Sequence, residues 1–197
     1  GIAPKMVIVK ELTDSRSWVV YHEGIGDAAK VIYLNQAVAA GTDATVWNST
    51  APTSTVFSVG TANGSNGSGN TYIAYAFAEI PGYSSFGSYT GNGSADGPFV
   101  YTNGMKPAFI IFKNSNSGNN WDMMDTQRSP INPADQDLQP STSSAEYTPG
   151  NQVDYLSNGF KLRTASGNIN GSGNTIIYMA FAENPFGGDG VAPATAR

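Results

Sequence analysis

The chain has 197 residues, a formal net charge of −5 and a sequence pI near 4.6, and it contains no cysteine. The acidic balance and the lack of any Lys/Arg cluster argue against nucleic-acid binding, and the lack of cysteine excludes disulfides and thiolate metal sites. No apolar run approaches the roughly 20 residues of a membrane-spanning helix, so we expect no membrane insertion.

Strands are the predicted elements along most of the chain. Residues 5–10 and 109–113 are nearly continuous apolar runs, which is typical of a central strand covered on both faces. Residues 73–78 alternate large side chains with alanine, as expected of a strand with one bulky face. Two more strands are predicted at residues 18–20 and 121–123. The charge of Asp122 indicates that the face of the second strand that carries it is exposed to solvent.

Turn signals separate these strands. Asn-Gly dipeptides supply the positive φ angles of a type I′ hairpin turn, and residues 155–162 have the pattern of a complete hairpin. The only helices expected are short ones at residues 27–34 and 133–138. The six Asn-Gly dipeptides begin at Asn63, Asn66, Asn92, Asn103, Asn158 and Asn170.

The sequence repeats itself at a shift of 103 to 104 residues. The string Asn66-Gly-Ser-Gly-Asn-Thr recurs as Asn170-Gly-Ser-Gly-Asn-Thr, and Ala-Phe-Ala-Glu occurs at residues 76–79 and 180–183. Matches in order over some 80 residues predict an internal duplication of a unit of about 100 residues. That length suits a small antiparallel β-sandwich or jelly roll.

The fold class predicted is therefore all-β, with two tandem antiparallel β-sandwich domains at residues 1–82 and 83–197. The second copy is preceded by residues 86–100, and nothing equivalent precedes Gly1, so the first copy lacks its opening strands. We expect those strands upstream in a longer parent chain; alternatively the C-terminal segment or a neighbouring chain completes the sheet.

No catalytic constellation is evident among the ionisable residues. His22 has no second histidine or nucleophile motif near it, which favours a structural role. Asp122 and Asp125 lie an odd number of residues apart and would face opposite ways on one strand, unlike a glycosidase pair. We expect Asp125 to form a structural salt bridge with Arg128.

Two kinds of binding site remain open. Calcium takes six to eight oxygens from flexible loops, and Asp122, Asn132, Asp135 and Asp137 offer such oxygens, although their spacing fits no known calcium loop. No other cofactor is expected. Aromatic side chains on loops bind sugars by stacking on the apolar face of the ring, or they belong to the core or an interface. The candidates are Tyr83, Phe86, Tyr89, Tyr101 and Tyr147.

Several of these strings together resemble a repeat domain of virion-associated proteins from marine and other tailed bacteriophages. They are residues 86–100, the Gly-x-x-Pro-x-x-x-Ile-x-Lys strand, Trp121 with Asp125 and Arg128, residues 180–183, and the ending at residues 185–197. The resemblance implies a concanavalin-like sandwich in a tail fibre or other virion-surface component, with no catalytic residues to transfer. It also implies that Arg197 is the C-terminus.

The function expected from this resemblance is non-enzymatic: a virion-surface, extracellular adhesion module that contacts host-surface glycans and other virion proteins. A homo-oligomer is expected, and a trimer by likeness to such fibres. One alternative is a purely architectural capsid decoration or tail building block. Another is a polysaccharide-degrading enzyme, since sandwich folds also host that activity.

Overall fold

Antiparallel β-strands make up most of the regular structure, as the strand and turn patterns predict. The structure is a computed structural model and describes residues 1–186. The strands are β1 Pro4–Glu11, β2 Val19–His22, β3 Lys30–Tyr33, β4 Gly41–Thr42, β5 Tyr72–Ala78, β6 Ser84–Thr90, β7 Phe99–Tyr101, β8 Pro107–Asn114, β9 Trp121–Asp125, β10 Val153–Leu156, β11 Gly159–Leu162 and β12 Thr175–Ala182.

Helices within the described residues are single turns. A 3₁₀ turn at Glu23–Ile25 follows β2, and three α-helical turns lie in connecting segments: α1 Ala44–Trp47, α2 Asn63–Asn66 and α3 Gly167–Asn170. Among residues 1–186, no helix has the length and apolar character needed to cross a bilayer.

The strands form three antiparallel sheets. The first sheet has the order β4-β3-β2-β1-β5, the central sheet β6-β12-β8-β9, and the outer sheet β10-β11-β7. The two apolar runs of the sequence become β1 and β8, and each lies inside its sheet between two neighbours. The expectation that they are central strands is confirmed.

The central sheet is buried on both faces, so the sheets stack in three layers. One face of β8, with Ile110 and Phe112, packs against the outer sheet. The opposite face, with Ile111 and its neighbours Trp121 and Met179, packs against the first sheet. At roughly 25 cal/mol per Å² of apolar area, burial of a strand on both faces stabilises it far more than burial on one.

The first sheet and the central sheet share one hydrophobic core. Met6, Ile8 and Val20 from the first sheet lie in the same buried cluster as Ile111 and Ile177 from the central sheet. The boundary predicted at residue 82 therefore lies between two sheets whose facing side chains pack together.

The strand registers of the two halves match at the repeat shift. Met6 pairs with His22 between β1 and β2, and Phe109 pairs with Asp125 between β8 and β9. Each residue of the second pair lies 103 positions after its counterpart in the first.

The pairs on the other side of β1 and β8 also match, at shifts of 103 residues for β1 and 104 for β5. Met6 pairs with Phe77 on β5, and Phe109 pairs with Phe181 on β12. A register shift, which marks a β-bulge or similar irregularity, occurs just before Met6 and just before Phe109. The three-strand units β5-β1-β2 and β12-β8-β9 thus have matching strand registers.

The segments that follow β2 and β9 are similar in length but differ in path. In the first half the segment adds β3 and β4 to the first sheet, and Val46 and Trp47 of α1 then pack on Val7 and Val9 at that sheet's outer surface. In the second half the segment builds β10 and β11, which join β7 in the outer sheet. The first half therefore has no counterpart of the outer sheet among the described residues.

Three local predictions were wrong. Residues 27–34 contain the strand β3, and residues 133–138 form isolated bridges, so neither is helical. Of the six Asn-Gly dipeptides, only Asn103-Gly104 has positive φ at both residues. The hairpin β10–β11 exists, but Leu156 pairs with Gly159, which places Ser157 and Asn158 at the turn.

Candidate functional site

The predicted ligand-binding tyrosines occupy different environments. Tyr89 packs in the core against Phe160 and Tyr178, and its hydroxyl donates to the carbonyl of Ile169 at 2.6 Å. Burial raises the pKa of Tyr89 well above its ordinary value. The structure therefore gives Tyr89 a packing role.

Tyr83 lies beside the shared core. Its ring packs edge to face on Phe181 at 5.6 Å and against the exposed ring of Phe186 at the same distance. Phe86, which the sequence placed with the tyrosines, is buried in the shared core. Both rings contribute to the aromatic packing around Phe181.

Tyr101 lies on a solvent-facing surface of the outer sheet. Strand alternation sends Val100 into the core and turns Phe99 and Tyr101 outward, where they are 47% and 52% exposed. Gly159 on β11 is the cross-strand neighbour of Tyr101, and Leu156 on β10 is the neighbour of Gly159 on its other side. Because Gly159 has no side chain, the ring of Phe99 lies over it; a Cβ there would come within 3.0 Å of that ring.

Charged side chains flank these rings. Lys161 is the cross-strand neighbour of both Phe99 and Asp154. Its ammonium contacts Asp96 at 2.8 Å, and Arg163 contacts Asp154 at 3.1 Å. We call this surface the outer-sheet face and define it as Phe99, Tyr101, Asp154, Leu156 and Lys161. It combines exposed ring surface with hydrogen-bonding groups, the combination that holds a sugar ring.

Tyr147 covers a buried acid pair formed by Asp122 and Asp137. Its hydroxyl donates to Asp137 Oδ2 at 3.0 Å, while Asp137 Oδ1 accepts from the backbone N–H of Met123 at 3.1 Å. Asp122 Oδ1 accepts from Gln139 Nε2 at 3.0 Å, and from one further amide. The expectation that Asp122 faces solvent was wrong, because these amides come from loops distant in sequence and close over it.

The buried acid pair favours a bound proton. Burial first, and then the neighbouring carboxyl group of Asp122, together raise the pKa of Asp137 to about 8. Asp122 Oδ2 is buried with no hydrogen-bond donor among the described residues, and a proton on Asp137 would supply one. Asp122 and Asp137 are 2% and 3% exposed, so neither reaches a substrate in the way that a glycosidase pair must.

The four residues considered for calcium do not converge. The side chain of Asn132 bonds to both the N–H and the carbonyl of Tyr155, and Asp135 accepts from Ser129. Only Asp122 and Asp137 come together. Across residues 1–186 there is no group of three or more His, Cys, Asp or Glu side chains placed to hold a metal ion.

Asp125 and Arg128 form the ion pair that the sequence suggested. Arg128 Nε contacts Asp125 Oδ2 at 2.6 Å, and its other nitrogens reach Glu146 at 2.9 Å and the carbonyl of Met123 at 2.9 Å. Burial acts to raise the pKa of Asp125, but the hydrogen bonds from the backbone N–H and the guanidinium of Arg128 lower it overall. The cluster joins the end of β9 to the segment that carries Tyr147.

His22 lies buried between the first and central sheets. Its Nε2 donates to the carbonyl of Tyr178 at 3.0 Å, and its Nδ1 accepts from the N–H of Gly24 at 3.0 Å. These two bonds require the neutral ring, and burial lowers the pKa of His22 to about 4. The histidine therefore links the two sheets.

One family model matches the chain, that of DUF7483, described as a domain of unknown function, and it covers residues 1–185. The chain belongs to the DUF7483 family. The match crosses residue 82, so the DUF7483 unit includes both halves of the chain. No curated protein matches the chain. No solved structure matches it either.

Sequence reasoning missed two features of these sites. Phe99 precedes a buried valine in a three-residue strand, and only the pairing of β7 with β11 shows that its ring lies beside Lys161 and Tyr101. The contact between Asp122 and Asp137 joins β9 to a connecting segment, and neither residue lies in a recognisable motif. The ending at residues 185–197, which implied Arg197 as the C-terminus, lies mostly outside the described residues.

Proposed function

We propose that this chain is a non-enzymatic adhesion module that binds glycans through the outer-sheet face. The observation that supports the proposal most directly is the pair of aromatic rings, Phe99 and Tyr101, that are about half exposed on one face of a well-packed sheet. Exposed aromatic residues on a rigid element lose little conformational entropy on binding, because their backbone is already held by sheet hydrogen bonds.

A pyranose ring fits this surface chemically. Its C–H groups stack on the faces of Phe99 and Tyr101, and its hydroxyls bond to the charged ends of Lys161 and Asp154. The ion pairs with Asp96 and Arg163 hold those ends in place without burying them. The side chains of Lys161 and Asp154 are both partly exposed, so a ligand can reach their charged ends.

We propose a virion-surface location, as expected for a tail-fibre or related component, with other virion proteins and further copies of the chain as partners. The support is the resemblance of the repeat strings to phage virion-associated domains. We also propose that the chain arose by duplication of a unit of about 100 residues folded as a sandwich. The matching strand registers of β5-β1-β2 and β12-β8-β9 support that origin.

A glycan array probed with the intact protein tests the proposed function. We expect binding to a subset of glycans, and we expect Tyr101→Ala and Phe99→Ala each to weaken that binding more than tenfold. Both side chains are exposed, so the free energy of unfolding should change by about 0.5 kcal/mol or less. Tyr75→Ala, which removes an exposed ring from the first sheet, is the matched control and should bind as the unmodified protein does.

Two results would contradict the proposal. One is an array on which the intact, folded protein binds no glycan. The other is glycan binding that survives both substitutions on the outer-sheet face, or that Tyr75→Ala reduces equally.

A further inference from the structure

β5 and β12 are counterparts in the two halves, but their outer edges differ. β12 lies between β8 and β6 in the central sheet, whereas β5 lies at the edge of the first sheet with β1 as its neighbour. The register of β5 on β1 is that of β12 on β8. The edge of β5 that corresponds to the β6 side of β12 therefore has no paired strand among residues 1–186.

The backbone groups on that edge can be assigned from the pairing. Leu12 N–H donates to the carbonyl of Thr71, which makes these two residues a hydrogen-bonded antiparallel pair. Hydrogen-bonded and non-bonded pairs alternate along the strands, so the N–H and C=O groups of Tyr72, Ala74 and Ala76 point away from β1. Three donors and three acceptors thus lie along the open edge of β5.

The side chains of β5 do not protect this edge. The sequence Tyr-Ile-Ala-Tyr-Ala-Phe-Ala at residues 72–78 contains no charged residue, no proline and no glycine. Ile73 and Tyr75 are 37% and 43% exposed. Natural edge strands are usually blocked by lysine, proline, a bulge or a covering segment, and an apolar, unblocked edge marks a strand that pairs with something.

The second half shows which kind of segment fits. β6 has the sequence Ser-Ser-Phe-Gly-Ser-Tyr-Thr and pairs with β12 along seven residues. In that pairing Phe86 lies opposite Met179, and Gly87 lies opposite Tyr178. Met179 and Tyr178 are the counterparts of Tyr75 and Ala74, so a β6-like strand on β5 would place its phenylalanine opposite Tyr75.

We propose that the open edge of β5 binds an extended segment similar to β6. This segment belongs to a further repeat unit of about 100 residues, and its addition as a strand completes the first sheet. The β6 strand of a second folded copy is not available for this, because it is already paired with its own β12 and contributes Phe86 to the shared core. The inference goes beyond glycan binding and uses a different surface, so either can fail without the other.

A synthetic peptide with the sequence of residues 83–91 tests the proposal on the full-length protein. We expect residue-resolved amide exchange of Tyr72, Ala74 and Ala76 to slow at least tenfold when the peptide is in excess, because these are the outward N–H groups. The same peptide with Gly87→Pro loses a backbone donor and is the matched control, which should leave exchange unchanged.

A variant of the protein adds a second arm. Ala74→Pro removes one outward N–H and no bond to β1, and proline is tolerated on edge strands. We expect it to abolish the peptide's effect, while Ala74→Ser retains it. The amides of β1 serve as an internal reference for folding in both variants.

Three outcomes would overturn the proposal. The first is a peptide that leaves the three outward amides unprotected. The second is protection that the proline-containing peptide produces equally. The third is protection of β5 that grows with protein concentration in the absence of peptide, which would make a second copy the occupant.

Discussion

His22 and Asp137 are both buried ionisable residues, and burial moves their pKa values in opposite directions. The pKa of His22 falls to about 4 and that of Asp137 rises to about 8. Between pH 4 and 6.5 the unfolded chain therefore binds more protons at His22 than the folded protein does, so this residue makes stability fall as pH falls. Asp137 makes stability rise as pH falls, because this residue keeps a proton in the folded protein that it releases in the unfolded chain above about pH 4.

The two contributions oppose each other at acidic pH, and only that of Asp137 remains above about pH 6.5. Asp137 stabilises the fold fully at low pH, and its contribution is lost as pH rises through about 8. The slope from one such group is at most about 1.4 kcal/mol per pH unit.

Asp137→Asn removes one of these opposing contributions. Asparagine can keep a neutral hydrogen-bonding side chain beside Asp122, so we expect the variant to gain stability relative to the unmodified protein as pH rises from 5 to 8. Urea unfolding at several pH values measures the difference. His22→Gln, which keeps a donor toward Tyr178, is the control, and we expect it to alter the pH dependence of stability only below about pH 6.5. A difference in stability that does not vary with pH would contradict the assignment of the proton to the buried acid pair.

At the scale of elements, the loop after β8 depends on a buried lysine. Lys113 is fully buried, and its ammonium donates to the carbonyls of Asn114, Ser117 and Asn119 at 2.8, 3.2 and 2.7 Å. Its counterpart Lys10 donates to two carbonyls of the equivalent loop and is only partly buried. Lys10 and Lys113 thus bond in the same way to the loop that follows their strand, but Lys113 is more deeply buried.

We expect Lys113→Met to lower the free energy of unfolding by about 2–3 kcal/mol, because it leaves buried carbonyls without a donor. Lys10→Met is the matched control and should cost less than about 1 kcal/mol, since water can replace the lysine there. Denaturant unfolding of both variants measures the two values. Equal costs for the two substitutions would show that burial of Lys113 is not what makes its bonds important.

Some elements could be predicted from the sequence because their signal is local. β1, β8, β5 and β12 carry their burial pattern in adjacent residues, so periodicity was sufficient to place them. The segments after β2 and β9 are different, because they become an added strand in one half and an outer sheet in the other. In the second half β11 pairs with β7, a strand some 60 residues earlier in the chain, and no local pattern predicts that pairing.

At the scale of the whole molecule, the sequence predicted two sandwiches and the structure has three stacked sheets. Each half has a central strand that is apolar on both faces, but its local sequence does not indicate which sheet packs on which face. Met6 and Ile8 cover Ile111 and Ile177 instead of facing a second sheet of their own half. The binding residues were predictable only in part for the same reason, since Tyr101 is exposed and Tyr89 is buried by contacts made across sheets.

The shared core implies that the two halves unfold as one unit. Hydrogen exchange measured peptide by peptide across a denaturant series tests this directly, with Ile111→Ala as a probe of the interface between the first and central sheets. We expect β1 and β12 to lose protection at one common midpoint, and we expect the substitution, which costs about 2–4 kcal/mol, to lower that midpoint equally for both. Separate midpoints, or a shift confined to β12, would contradict a single core joining the two halves.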